Sequence, residues 1–203
     1  MVQTSVIGYP RIGASRELKV AVEKYFKGEI GVEALHRTAA DLRSAHWNVQ
    51  KAHGVDWIPS NDFSFYDHVL DAAVLFNLVP ERYRALELAP LDTYFAMARG
   101  YQGPRGDVKA LAMKKWFNTN YHYLVPEIED TAQWQVTGSK IFDEYREAKQ
   151  RRLETKPVLI GAFTLLKLAK YPGRKRAEHF LSDAARAYRD VLARLAQLGA
   201  QWI

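Results

Sequence analysis

The densest chemistry in this chain lies in three short runs. Asn61-Asp62-Phe63-Ser64-Phe65-Tyr66-Asp67-His68 brings carboxylates, a phenol and an imidazole close together. Such a set can do acid–base work, or it can brace a loop by hydrogen bonds while Phe63 and Phe65 anchor it. The second run, Gly8-Tyr9-Pro10-Arg11-Ile12-Gly13, is followed by Arg16-Glu17-Leu18-Lys19. Arg16 and Lys19 fall three apart in a predicted first helical turn and share a face. Cations at the positive end of a helix are unfavourable, and the first-turn N–H groups want an acceptor. A bound carboxylate resolves both tensions; surface pairing with Glu17 and Glu23 does so too. The third run is Lys114-Lys115-Trp116-Phe117-Asn118-Thr119-Asn120-Tyr121-His122-Tyr123-Leu124-Val125-Pro126-Glu127. Its aromatic and β-branched residues favour an extended segment. Its interleaved amides, hydroxyl, imidazole and cations each need a partner if buried.

The elements that position these runs follow from periodicity. Ser5–Gly8 reads as a short strand ending in a Gly-Tyr-Pro turn. Ser15 is expected to cap a helix from Arg16 to about Phe26, stopped by Gly28. A longer helix spans about Val32 to Ala52, with Leu35, Ala39, Leu42 and Val49 on one face and Gly54 at its end. Val55–Pro59 reads as a second strand, and Tyr66–Phe76 returns to helical spacing. Helical turns are expected around Pro80–Leu86 and Leu91–Ala98, and Gly100–Asp107 reads as a loop. The Lys114–Val125 run is expected to supply a third strand whose ends the pattern does not fix; a start after Lys115 would put that lysine ahead of it. A helix over Ser139–Gln150 follows, and Pro157–Phe163 reads as a fourth, doubly covered strand. The last helix runs from Ala177 through Leu181, Ala184, Tyr188, Val191 and Leu195 to Leu198, closed by Gly199. Gln201-Trp202-Ile203 reads as the start of a fifth strand. Strands alternating with helices predict an α/β fold of parallel βαβ units. Four units and the start of a fifth amount to about half of a (β/α)8 barrel, a single partial domain over residues 1–203, with open edges that favour association.

In this order and spacing, the three runs resemble the amino-terminal domain of cobalamin-independent methionine synthase, the 5-methyltetrahydropteroyltriglutamate–homocysteine methyltransferase. The resemblance runs from Ile7 to Trp202 and takes in Arg43–Gln50 and Lys156–Thr164. It implies a cytoplasmic enzyme of methionine biosynthesis, of which this chain is the first half of the first of two barrels. It also implies that Arg16, Glu17, Leu18 and Lys19, with Lys115, contact the triglutamate tail of the folate substrate. A lysine ahead of a strand would ordinarily lie at the non-catalytic end of a barrel. The family's zinc is held by histidine, cysteines and glutamate in the carboxy-terminal barrel, so the resemblance implies zinc for the parent enzyme and none for this chain. Homocysteine belongs to that absent domain as well. The expected partners are the folate, the rest of the parent enzyme or a second copy; catalytic residues are expected elsewhere. A free-standing, non-catalytic folate-binding or interaction module is the alternative.

Composition sets the outer limits. The chain has 203 residues, 48% hydrophobic and 26% charged, which suits a globular domain with a substantial core. No apolar run reaches the ~20 residues of a membrane helix, and the first residues carry no secretory pattern. The absence of cysteine excludes disulfides and thiolate metal sites. His36, His46, His53 and His179 share no short metal-ligand spacing. The formal charge of +6 is concentrated in Lys149–Lys156 and Lys167–Arg176. It suits a solvated surface, a polyanionic small molecule or nucleic acid with Trp116, Phe117 and Tyr121 as stacking platforms. No phosphate-binding motif or nucleic-acid module supports the last of these.

Overall fold

The computed structural model describes residues 2–203, which group into two compact units. The first unit takes residues up to Phe65, Lys140–Leu159 and Ala196–Ile203; the second takes Tyr66–Ser139 and Ile160–Leu195.

In the first unit, helices α1 (Glu17–Phe26) and α2 (Val32–Ala52) precede strand β1 (Ile58–Ser60). The apolar stripe of α2 buries Leu35, Ala39 and Leu42, and Leu18 of α1 packs with Ala39, Leu42 and Phe63. Val49, expected on this stripe, is exposed, and Trp47 takes the buried place against Ile58, Ala148 and Leu153. The Trp47 indole N–H, which must be satisfied once buried, donates to the Pro59 carbonyl at 2.9 Å.

The parallel pairing of this unit involves β1 and a strand late in the chain, Thr155–Pro157. Ile58 faces Thr155 and Ser60 faces Pro157. Between them the buried Thr155 hydroxyl donates to Ser60 Oγ at 3.0 Å. Ser5 adds a parallel bridge to Trp57. Helix α6 (Lys140–Gln150) packs here too, burying Ile141, Phe142, Tyr145 and Ala148.

In the second unit, α3 (His68–Leu75), α4 (Glu81–Arg84) and α5 (Pro90–Arg99) lead into two antiparallel hairpins. The hairpins pair β2 (Tyr101–Gly103) with β3 (Gly106–Val108), and β4 (Met113–Lys115) with β5 (His122–Leu124). The strand Thr155–Pro157 is therefore β6. Helix α7 (Ala162–Leu168), a 3-10 turn at Ala177–Phe180 and α8 (Leu181–Gln197) complete the chain. Phe76 stacks on Tyr188 at 4.4 Å between ring centres, and the Tyr188 hydroxyl donates to the Ile160 carbonyl at 2.6 Å.

Several expectations are corrected. Gly100–Asp107 is the β2–β3 hairpin, turned by Pro104 and Arg105, where the fixed φ of proline suits a tight turn. Lys114–Val125 is two short antiparallel strands, because the polar residues at its centre turn the chain. Trp116 N–H donates to the Tyr121 carbonyl, and the Thr119 hydroxyl donates to the Trp116 carbonyl. The apolar residues after Pro157 feed helix α7, which buries Leu165 and Leu166, so the strand ends at Pro157. Gln201–Ile203 forms no strand. The described residues thus form a mixed α/β structure with both parallel and antiparallel pairing.

Candidate functional site

Strands β1 and β6 run parallel, so Asn61-Asp62 and Val158 both leave from their carboxyl ends. That end of a parallel sheet is where ligand-binding loops gather. The Asn61 amide donates to the Val158 carbonyl at 2.8 Å and its oxygen accepts from Lys140 Nζ at 2.9 Å. Asp62 Oδ2 accepts the Tyr9 N–H at 2.9 Å, tying the loop after Ser5 to the turn after β1. Burial raises the Asp62 pKa above the ordinary aspartate value; the Tyr9 bond and the Lys140 and Arg43 charges oppose that rise.

The same loop leads to α1. Tyr9 stacks on His46 at 4.5 Å, and burial lowers the His46 pKa. The Glu17 carboxylate reaches back to accept the Ser15 N–H at 3.0 Å, so Ser15 is not the cap. The helix instead starts after Arg16, whose backbone is left-handed at φ 63. An arginine in that region is strained by about 1 kcal/mol. Gly13, at φ 86, accommodates the close approach, since a Cβ there would lie 2.0 Å from Glu17 Oε2. Leu18 is buried and points into the core. Arg16 and Lys19 are exposed, and Lys19 pairs loosely with Glu23 at 3.6 Å. Of the four expected residues here, two present charge to solvent and two hold the turn.

Behind this loop stands an ionic network that the sequence reading did not single out. Arg43 donates to Glu147 at 2.7 and 2.9 Å, lies 3.6 Å from Glu144 and sits over the Phe63 ring at 5.4 Å. Lys140 reaches Glu144 at 3.2 Å. The spacing of Lys140, Glu144 and Glu147, one helical face of α6, was the available signal.

The second unit holds the other singled-out residues. Asp67 is 1% exposed and caps α3. Its Oδ2 accepts the Leu70 N–H at 2.9 Å and the Leu124 N–H at 3.2 Å, while Oδ1 accepts the Tyr121 hydroxyl. Burial pushes its pKa up to about 6 against those hydrogen bonds, with the Asp71 charge adding to the rise. Tyr94 accepts the Tyr66 N–H at 3.1 Å and donates to Asp71 at 2.8 Å. The His68 N–H points to the Tyr121 hydroxyl at 3.4 Å. The expected cluster therefore divides: Asp62 braces the first unit, while Tyr66, Asp67 and His68 brace the second. Lys115 ends β4 opposite His122 and is exposed, at the start of the Trp116–Tyr121 turn. It stands at the carboxyl end of its own strand.

Among the described residues, no group of three or more histidine, cysteine, aspartate or glutamate residues is arranged to hold a metal ion. The residues present do not fit a zinc site.

The comparisons with known proteins agree with the resemblance. The family model described as "Cobalamin-independent synthase, N-terminal domain" matches residues 3–203. The chain belongs to that family. The 5-methyltetrahydropteroyltriglutamate–homocysteine methyltransferase of Streptococcus thermophilus is 55% identical over 197 residues, 97% of this chain and 26% of the relative. The protein of the same description in Streptococcus suis is 55% identical over 200 residues, 98% of this chain and 27% of the relative. The chain thus spans about a quarter of the length of the curated relatives it matches. Within the cobalamin-independent synthase family, it corresponds to the N-terminal domain.

Proposed function

We propose that this chain is a segment of a cytoplasmic S-methyltransferase that moves the methyl group of 5-methyltetrahydropteroyltri-L-glutamate to homocysteine. Its parallel units would form about half of a (β/α)8 barrel. Its share of the reaction is to hold the folate triglutamate tail through Arg16, Lys19 and Lys115, with Glu17 and Leu18 fixing the turn, and to pack against the rest of the enzyme. Homocysteine and zinc belong to the remainder of the enzyme on this reading.

The observation that carries this reading is the exposed first turn of α1. It follows a parallel segment at the carboxyl-end loops, presents Arg16 and Lys19 to solvent, and lies in a chain whose relatives are described as acting on a triglutamate folate. Polyanionic tails suit such sites, because each carboxylate meets a separate cation. Exposed Ile7, Phe117 and Phe163 support a packing partner, since large apolar side chains in water favour cover.

Calorimetry with triglutamyl and monoglutamyl methyltetrahydrofolate tests the reading. The wild-type chain is expected to prefer the triglutamate. Each cation contributes about 0.5–2 kcal/mol at a partly exposed site, and added salt weakens the preference. The Arg16→Ala, Lys19→Ala, Lys115→Ala triple variant is expected to bind both tails alike. A wild-type chain that does not distinguish the tails would refute the assignment.

A further inference from the structure

The turn that follows β1 carries two aspartates, and each reaches a segment bearing tail-site cations. Asp62 accepts the Tyr9 N–H, and Tyr9 opens the loop that leads to Arg16 and Lys19. Asp67 accepts the Tyr121 hydroxyl and the Leu124 N–H, both on the hairpin that presents Lys115. We propose that Asp62 and Asp67 are positioning residues, each within its own unit: Asp62 sets the Tyr9–Lys19 segment with its cations, and Asp67 sets the β4–β5 hairpin with Lys115. The proposal deepens the tail-binding reading and rests on it.

The choice of residue supports this role. Capping α3 does not require a carboxylate, because asparagine and serine cap equally well. A buried carboxylate is costly unless donors surround it. The groups facing Asp67 are donors from three places: the Leu70 N–H of its own helix, the Leu124 N–H of β5 and the Tyr121 hydroxyl of the hairpin turn. An asparagine would place an N–H against one of them. Oδ2 alone joins helix and hairpin through the two amides, and only a second acceptor atom takes the Tyr121 hydroxyl proton as well. The turn before it is similarly fixed: Asn61 sits at φ 59, a strained position for a side chain, and is held by the Val158 carbonyl and Lys140.

Amide hydrogen exchange and tail binding, measured on the whole chain, test the proposal. Asp67→Ser keeps a helix cap and cannot reach the hairpin. It is expected to speed exchange of the Leu124 amide about tenfold or more while the α3 amides hold, since a bond to a charged acceptor is lost. Tyr121→Phe, a milder change, is expected to shift the hairpin amides in the same direction. Asp67→Asn, which retains acceptors for both backbone amides, is expected to restore most of the protection. Asp62→Ala is expected to speed the Tyr9 amide and leave the hairpin unchanged.

In both Asp67→Ser and Asp62→Ala, the preference for triglutamate over monoglutamate is expected to fall several-fold. Unchanged exchange in the segments concerned would overturn the proposal. So would faster exchange accompanied by an undiminished tail preference. A wild-type chain with no tail preference would instead refute the binding reading, and exchange would still decide whether the aspartates hold these segments.

Discussion

The two cation-bearing segments are secured by different balances of packing and polar bonds. The entrance to α1 is held by packing and by its own short bonds. Leu18 is driven into the cluster of Ala39, Leu42 and Phe63, while Glu17 folds back on Ser15. The β4–β5 hairpin exposes all three residues of β4, buries Tyr123 and Leu124 of β5, and gathers three polar bonds to α3 and its cap, two on the Asp67 carboxylate and one from the His68 N–H. Apolar burial is insensitive to pH and directionless, whereas a buried carboxylate is directional and titrates. The contrast teaches that both segments can present a lysine or arginine to solvent, yet different conditions should loosen them.

The largest effect should come from Leu18→Ala. It removes a nearly fully buried side chain from the α1 anchor and is expected to destabilise the chain by about 2–4 kcal/mol, read by urea unfolding. A cost below ~1 kcal/mol would mean that packing does not hold this entrance.

The hairpin should answer to pH. The Asp67 pKa is about 6 in the folded chain, held up by burial, against about 3.9 when unfolded. A carboxyl raised by folding contributes stability that is full below about pH 4 and lost as pH rises through about 6. The expected loss is on the order of 2 kcal/mol between about pH 4 and pH 7. Asp71, His68, Tyr94, Tyr121 and Tyr123 face the same region, and Asp62 shifts in the same direction. The measured quantity is therefore the difference between wild type and Asp67→Asn, whose curve should lack this component. Parallel curves would remove Asp67 as the titrating group.

Next in size is Gly13→Ala. The left-handed backbone at φ 86 and the 2.0 Å approach to Glu17 Oε2 predict a cost of about 1–2 kcal/mol, with Glu17 displaced from Ser15. The smallest effect belongs to Glu23→Ala. The Lys19–Glu23 pair has side chains about half exposed, and its loss should change stability by less than ~0.5 kcal/mol. By freeing Lys19, it should sharpen the preference for a triglutamate tail. A weakened preference would show that Glu23 orients Lys19 rather than competing for it.

The helices were legible because a 3.6-residue apolar period needs only local information. The expected helices over Val32–Ala52 and Ser139–Gln150 match α2 and α6 to within a residue. The Lys114–Val125 strand was misread because alternation looks the same in a straight strand and in one folded back on itself. The left-handed conformation of Phe117, at φ 51, has no signature in that residue type. The Pro157–Phe163 run was apolar enough for either element, and length alone could not arbitrate. Asp62 and Asp67 stood out by composition. The Arg43 network did not, since Arg43 and Glu147 lie 104 residues apart and only the fold joins them.

The bonds gathered on Asp67 also imply an order of events during folding. Its cap to Leu70 closes three residues, while its bond to Leu124 closes 57. Helical turns form in about a microsecond or less and hairpins in microseconds. Long closures come later because chain entropy opposes them. The cap of α3 should thus exist before its carboxylate receives the hairpin, and mutations at Tyr121 should speed unfolding far more than they slow folding.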